Sequence, residues 1–155
     1  MVSVDLLCSC ELFTGLDAEE LEQIAAIASK ETYQAGEIIC AEHEVADRLY
    51  ILCDGRVEVR VSLHSPLEPG GEMTIEEVEA GHVFGWSSLV KQGRFTASAR
   101  ALDAATVLAI KGDDLNALFD RNVHAGFVVM KQLAEVIASR LRRTRMVCAK
   151  DARED

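Results

Sequence analysis

The chain has 155 residues, 49% hydrophobic and 27% charged, with a formal net charge of -10 from 26 acidic and 16 basic side chains. That length buries a core without disulfide or metal staples, and it reads as one domain over residues 1–155. No apolar run nears the ~20 residues of a membrane span, residues 1–10 lack the flank and length of a secretory signal, and the acidic balance argues against direct nucleic-acid binding, so a cytoplasmic protein is expected.

Five cysteines, Cys8, Cys10, Cys40, Cys53 and Cys148, are odd in number and scattered, and no CxxC pair is present. They read as buried or partly buried free thiols of a reducing compartment. An iron–sulfur site needs about four converging thiolates, which this spacing does not offer.

In chain order, Asp17-Ala18-Glu19-Glu20 is a helix start, with Asp17 as cap and Glu20 in capping-box position. Leu21, Ile24, Ala25 and Ala28 follow at helical spacing, with Phe13 just upstream as an anchor. From residue 37 the period changes. Ile38-Ile39-Cys40 and Leu49-Tyr50-Ile51-Leu52 are apolar runs, and Val57 to Val61 alternates strictly. Asp54-Gly55 between such runs predicts a hairpin turn. His64 to Gly71 holds both prolines and reads as a loop. Met73–Val78, Ala97–Ala101 and Thr106–Ile110 are further strands. Roughly seven or eight short, evenly spaced strands imply a mainly β fold with flanking helices, a small barrel or jelly roll over about residues 30–111.

Helical period returns after Gly112: a short helix through Phe119, then a long amphipathic one over about Val123–Met146, the two filling about residues 113–147. Lys131, Gln132, Glu135, Ser139 and Arg142 form its polar stripe. Its apolar arc is wider than one barrel face needs, so a second copy of the helix is the simplest partner and a homodimer is expected; the alternative is a helix sunk deeper in its own domain. Lys150 to Asp155 reads as a frayed tail.

The ordered motifs Leu12-Phe13-Thr14-Gly15-Leu16, Gly36-Glu37-Ile38-Ile39, Asp47 to Leu52, Asp54-Gly55-Arg56-Val57 and Ala80 to Gly85 resemble the cyclic-nucleotide-binding domain over about residues 12–145. The stretch Phe84-Gly85-Trp86-Ser87-Ser88-Leu89, followed by Arg94-Phe95-Thr96-Ala97-Ser98-Ala99-Arg100-Ala101, is similar to a variant phosphate-binding cassette. Effector domains of regulators related to the catabolite activator and FNR proteins carry such cassettes. The resemblance implies a double-stranded β-helix (jelly-roll) barrel between an N-terminal helix and a long C-terminal one. It also implies a ligand, cyclic AMP or cyclic GMP, and no cofactor or metal. Those regulators usually continue into a helix-turn-helix domain. This sequence stops at Asp155, so output is expected through a partner protein or a DNA-binding domain outside this chain.

A cyclic nucleotide needs backbone N–H groups and an arginine for its phosphate, and the family usually offers a glutamate to the ribose. Here Trp86 stands at the glutamate position and Phe95 at the arginine position. Losing both contacts costs about two to four orders of magnitude in affinity. The expected ligand-binding residues are Phe84, Gly85, Trp86, Ser87, Ser88, Leu89, Arg94, Phe95, Thr96 and Ala97. Arg94 is one residue out of step with the clamp, so its use requires a bulge or another loop path. Arg100 shares its parity, with Thr96 between them. Thr144 and Arg145 fall where the family often contacts the base, although Arg140, Arg142, Arg143 and Arg145 equally suit the negative end of a helix dipole.

His43, His64, His82 and His124 are isolated and read as turn or surface residues. No nucleophile elbow, paired catalytic carboxylates or HExxH occurs, so no catalytic residue is expected. Two functions stay open: a small-molecule sensor, and a ligand-free interaction scaffold whose pocket Trp86 and Phe95 fill.

Overall fold

A computed structural model describes residues 2–65, 68–90 and 93–154, with the side chains of 64, 65, 68, 69 and 147–154 outside the description. Helix α1 (Val4–Cys8) and a 3-10 turn at Glu11–Phe13 precede α2 (Ala18–Ile27). The capping box forms as expected: Glu20 N donates to Asp17 Oδ1 at 2.8 Å, and Asp17 N donates to Glu20 Oε1 at 3.2 Å.

Eight strands follow: β1 (Ala28–Tyr33), β2 (Ile38–Cys40), β3 (Arg48–Asp54), β4 (Val57–Ser65), β5 (Glu68–Val78), β6 (Val83–Phe84), β7 (Ser98–Ala101) and β8 (Ala105–Lys111). They form two four-stranded antiparallel sheets, β1-β8-β3-β6 and β2-β7-β4-β5, which are not closed into a barrel. The jelly-roll expectation holds as two sheets enclosing a common core. That core takes Tyr50, Leu52, Phe84, Val107 and Ala109 from the first sheet and Ile39, Val57, Val78, Ala99 and Ala101 from the second. Leu49, Ile51, Leu108 and Ile110 point the other way, into a second cluster with Leu7, Leu12, Phe13, Ile24, Leu115, Val129 and Leu133 of the helical segments. The first sheet is thus covered on both faces, which is why β3 and β8 read as continuous apolar runs.

Several expectations are corrected. Ala28 does not extend α2 but opens β1, whose mixed exposure hides it in the sequence; the apolar β8 supplies its pairing, from Ala28↔Ile110 to Tyr33↔Ala105. Asp54-Gly55 is not a hairpin, because β3 and β4 belong to different sheets. Gly55 (φ +95°) turns a corner between them, and a Cβ there would strike the Ala104 carbonyl oxygen. The hairpin is β4–β5, running from Val57↔Val78 to Ser65↔Glu68 through most of the expected loop; residues 66 and 67 lie outside the described ones. β5 is an edge strand, the kind of position in a sheet where a proline such as Pro69 is tolerated. Cys8 is exposed rather than buried.

After α3 (Gly112–Arg121), α4 runs from Val123 to Glu154, 32 residues, continuing through the segment expected to fray. The arginines at 140–145 are therefore not in its last turn. Asn122 caps α4, accepting from Ala125 N at 3.1 Å. The buried Glu20 carboxylate receives Asn122 Nδ2 and contacts His124 Nδ1, both at 3.0 Å, fastening the start of α4 to α2. Ala125, Val129 and Leu133 are buried, whereas Val123, Phe127, Leu141 and Met146 are exposed.

The hydrogen bond to Glu20 raises the pKa of His124, and the same bond, foremost, lowers that of Glu20. The histidine's contribution is complete below its ordinary 6.5 and fades as pH rises through the raised value; the carboxylate's is complete above 4.5 and fades as pH falls through the lowered value. The stability advantage of the native chain over His124→Gln should peak between 4.5 and 6.5 and shrink as pH rises through the raised histidine value. Urea unfolding at a series of pH values checks this, and an advantage that grows with pH refutes it.

Candidate functional site

The segment after β6 is built around Gly85, which is left-handed (φ +76°). A Cβ there would lie 3.0 Å from Tyr50 Cδ2, 3.1 Å from Arg48 O and 3.3 Å from Phe95 Cε1, so glycine alone lets the chain turn under this roof. A 3-10 turn follows at Trp86–Leu89. Ser88 is spent inside it: its Oγ and its N both donate to Gly85 O, at 3.0 and 3.3 Å. Leu89 joins the helix-side core, and Phe84 stacks on Tyr50 with centroids 5.2 Å apart.

Of the expected ligand-binding residues, Phe84, Gly85, Trp86, Ser87, Phe95, Thr96 and Ala97 line one cavity together with Cys40, Val59, Ser98, Ala99 and Arg140; its volume is about 50 Å³. A groove of about 220 Å³ adjoins it across Trp86 and Arg140, bounded by Ile75, Glu76, Ile137, Leu141, Arg143 and Thr144. Ligand pockets for drug-sized molecules span ~300–1,000 Å³. Neither space reaches that while Trp86 and Arg140 stand between them.

Phe95 is buried in the core between the sheets. Its N donates to Glu44 O at 2.9 Å, and its carbonyl accepts from His43 N at 2.8 Å. Arg94 does not join the cavity. It is exposed, and its Nη1 donates to His43 O at 2.8 Å. The parity argument for Arg94, Thr96 and Arg100 assumed one unbroken strand, but β7 begins only at Ser98. Arg100 instead donates its Nε to the buried Glu58 at 3.0 Å, and that ion pairing helps hold the Glu58 carboxyl low against its burial. Thr144 borders the groove, donating its Oγ1 to Arg140 O at 3.0 Å, whereas Arg145 is exposed and lines neither space.

The residue the sequence reading missed is Arg140 of α4. It is 8% exposed, and its Cζ sits 4.5 Å from the Trp86 ring centroid. Its Nε pairs with Glu76 Oε2 at 2.8 Å, and its Nη2 lies 3.6 Å from Glu11 Oε1. Burial lowers its pKa, while the two carboxylates favour the charged form. Glu76 also takes Arg143 Nη1 at 3.2 Å, and burial nonetheless pushes its carboxyl up. A signal for Arg140 existed. It continues the row of buried Ala125, Val129 and Leu133 and half-buried Val136, and a cation in an apolar row is anomalous.

Burial pushes the Cys10 and Cys40 thiols up to about 12, which leaves them inert as nucleophiles. Among the described residues no group of three His, Cys, Asp or Glu side chains is placed to hold a metal, and no helix is long and apolar enough to cross a membrane.

A family model for the cyclic nucleotide-binding domain matches residues 30–122. The cyclic AMP receptor protein of Thermus thermophilus is 31% identical over 132 residues, which cover 84% of this chain and 57% of that protein. Glutaminase 1 of Bradyrhizobium diazoefficiens is 32% identical over 130 residues, but these are 20% of its length, so the match carries no enzymatic activity to this chain. The chain thus spans between a fifth and just over half of these two relatives. A crystal structure of a candidate cyclic nucleotide-binding protein from Geobacter metallireducens superposes with a TM-score of 0.77 at 32% identity, covering 91% of this chain and 99% of that one.

The crowding at Gly85 predicts that Gly85→Ala loses about 1–3 kcal/mol of unfolding free energy, from positive-φ strain and the three close contacts. Arg94→Ala, on the exposed side of the same segment, should lose less than ~1 kcal/mol. Urea denaturation of the two variants checks the contrast, and equal losses contradict it.

Proposed function

The chain belongs to the cyclic nucleotide-binding domain family, and from that premise we propose that it is a cytoplasmic, ligand-sensing regulatory module and not an enzyme. The observation that carries this reading is the contact between cassette and output helix: Arg140 of α4 lies over Trp86 of the cassette. A ligand that moves Trp86 must act on α4, and a helix anchored at its start and held by a polar contact farther along is an effective two-position element. Its ligand on this reading is a cyclic nucleotide, cyclic AMP or cyclic GMP, admitted when the Trp86–Arg140 pair moves and the cavity and groove merge. The signal passes to a protein partner, or to a DNA-binding domain beyond this chain, with the chain as a homodimer through α4. Phe127 and Met130, 66% and 37% exposed on that helix, are the apolar residues such a dimer covers.

A second reading has its own support. With about 50 Å³ free in the cavity and Phe95 filling the clamp position, the module works as an interaction scaffold without ligand.

Thermal unfolding with cyclic AMP or cyclic GMP at millimolar concentration separates the two. A ligand at 100 times its Kd adds ~2.7 kcal/mol, several degrees for a domain of this size. A saturable rise supports sensing, and no rise with either nucleotide leaves the scaffold. For the dimer, sedimentation should show a two-chain species that Phe127→Glu converts to monomer; a native chain already monomeric at high micromolar concentration refutes it.

A further inference from the structure

The cassette has lost its arginine to Phe95, yet the cavity is not without a cation. Arg140 is the one cationic side chain lining it among the described residues. It lies outside the segment that the family model matches, residues 30–122. A guanidinium carries five N–H donors in a planar fork, and burying donors without acceptors is costly. Arg140 is buried, and only its Nε is placed against an acceptor at hydrogen-bonding distance, Glu76. Nη1 and Nη2 have no hydrogen-bond acceptor among the described residues, and the 3.6 Å from Nη2 to Glu11 is an ion-pair distance only. The contact with Trp86, Cζ to ring centroid 4.5 Å, takes up no N–H group, and both terminal nitrogens are shut off from solvent, so an anion reaches them only as the Trp86–Arg140 pair moves.

We infer that Arg140 is the anion clamp of this site. Resting on the sensing reading above, this assigns its two terminal nitrogens to a small organic phosphate, held bidentately in place of the missing cassette arginine. Two parallel N–H donors match two phosphate oxygens, a geometry that a lysine at this position does not offer. Glu76 and Trp86 fix the fork from the Nε side and from below. Arg94 and Arg143 are not rivals: the first bonds His43 O away from the cavity, and the second is exposed and paired with Glu76. A clamp on α4 differs in consequence from one on the cassette. The bound anion then joins the cassette wall to the output helix directly, so occupancy itself alters how firmly α4 is held.

Trp86 is the chain's single tryptophan, so its emission reports on the site alone. The test titrates inorganic phosphate and cyclic AMP, with sodium chloride at matched ionic strength as control. The expected result is a saturable change in emission with phosphate and none with chloride. The affinity should fall about 10–100-fold in Arg140→Gln and be unchanged in Arg94→Gln. Because Arg140→Gln leaves Glu76 with Arg143 as its remaining cation, the double variant E76Q/R140Q removes both charges of the Arg140 pair and should show the same loss on a fold verified by circular dichroism. Phosphate affinity unchanged in the folded double variant, or no saturable response to phosphate, overturns the clamp. Cyclic AMP binding that survives both Arg140 variants overturns it too, while leaving the sensing reading intact. Phosphate binding that depends on Arg140, with no response to cyclic AMP, supports the clamp and removes the cyclic nucleotide as the ligand.

Discussion

The burial of one sheet on both faces is the constraint from which the rest of the molecule follows. Leu49, Ile51, Leu108 and Ile110 need a cover on one side of β3 and β8, and Tyr50, Leu52, Val107 and Ala109 need one on the other. Each such side chain is worth about 1.5–3 kcal/mol when fully buried. The inner demand is met by the second sheet, and the outer one by α1, α2, α3 and the first half of α4. The second sheet meets a helix only where α4 passes β5, through the Arg140 and Arg143 pairs with Glu76, among the described residues. Its outer face bears charge instead, with Glu58 drawn between Arg60 and Arg100.

α4 is consequently held at two places of different character. Its first half is anchored by apolar packing at Ala125, Val129 and Leu133 and by the Glu20–Asn122–His124 cluster. Its second half meets the domain through Arg140 and Arg143, in contacts made of charge and one aromatic ring. Apolar packing is insensitive to a small polar ligand. A buried ion pair is not, because its balance of desolvation and attraction shifts with every added charge. The helix is therefore fixed at its start and adjustable where it passes the cassette. Trp86 and Phe95, which depart from the resembled pattern, also divide the work: Phe95 closes the core where a clamp arginine is expected, and Trp86 forms the floor under a different arginine.

Several elements were legible because local chemistry decides them. The capping box at Asp17–Glu20 and the start of the long helix near Val123 are written in adjacent residues. The cassette turn at Gly85 was legible through resemblance, and the structure supplies its reason: side chains and backbone from three other segments crowd that position. Other features misled. Asp54-Gly55 has the composition of a hairpin turn but joins strands of different sheets. β1 has no pattern of its own, since it is an edge strand completed by β8. Arg94 and Thr96 share parity in sequence and are both exposed, yet on the irregular path before Ser98 only Thr96 borders the cavity.

By itself the sequence determined the order and type of most elements, the position of the cassette, and the fact that its two usual polar groups are replaced. The elements depend on periodicity, capping and turn chemistry, which act over a few residues, whereas the cassette and its replaced groups rest on the resemblance to the family. Only the tertiary structure decided which strands share a sheet, that the sheets stay open, and that Arg140, 54 residues beyond Trp86 (140 - 86), stands over it with two nitrogens unbonded among the described residues. Contacts between distant residues arise from how the layers stack, and no local pattern encodes which side chains will meet across the gap.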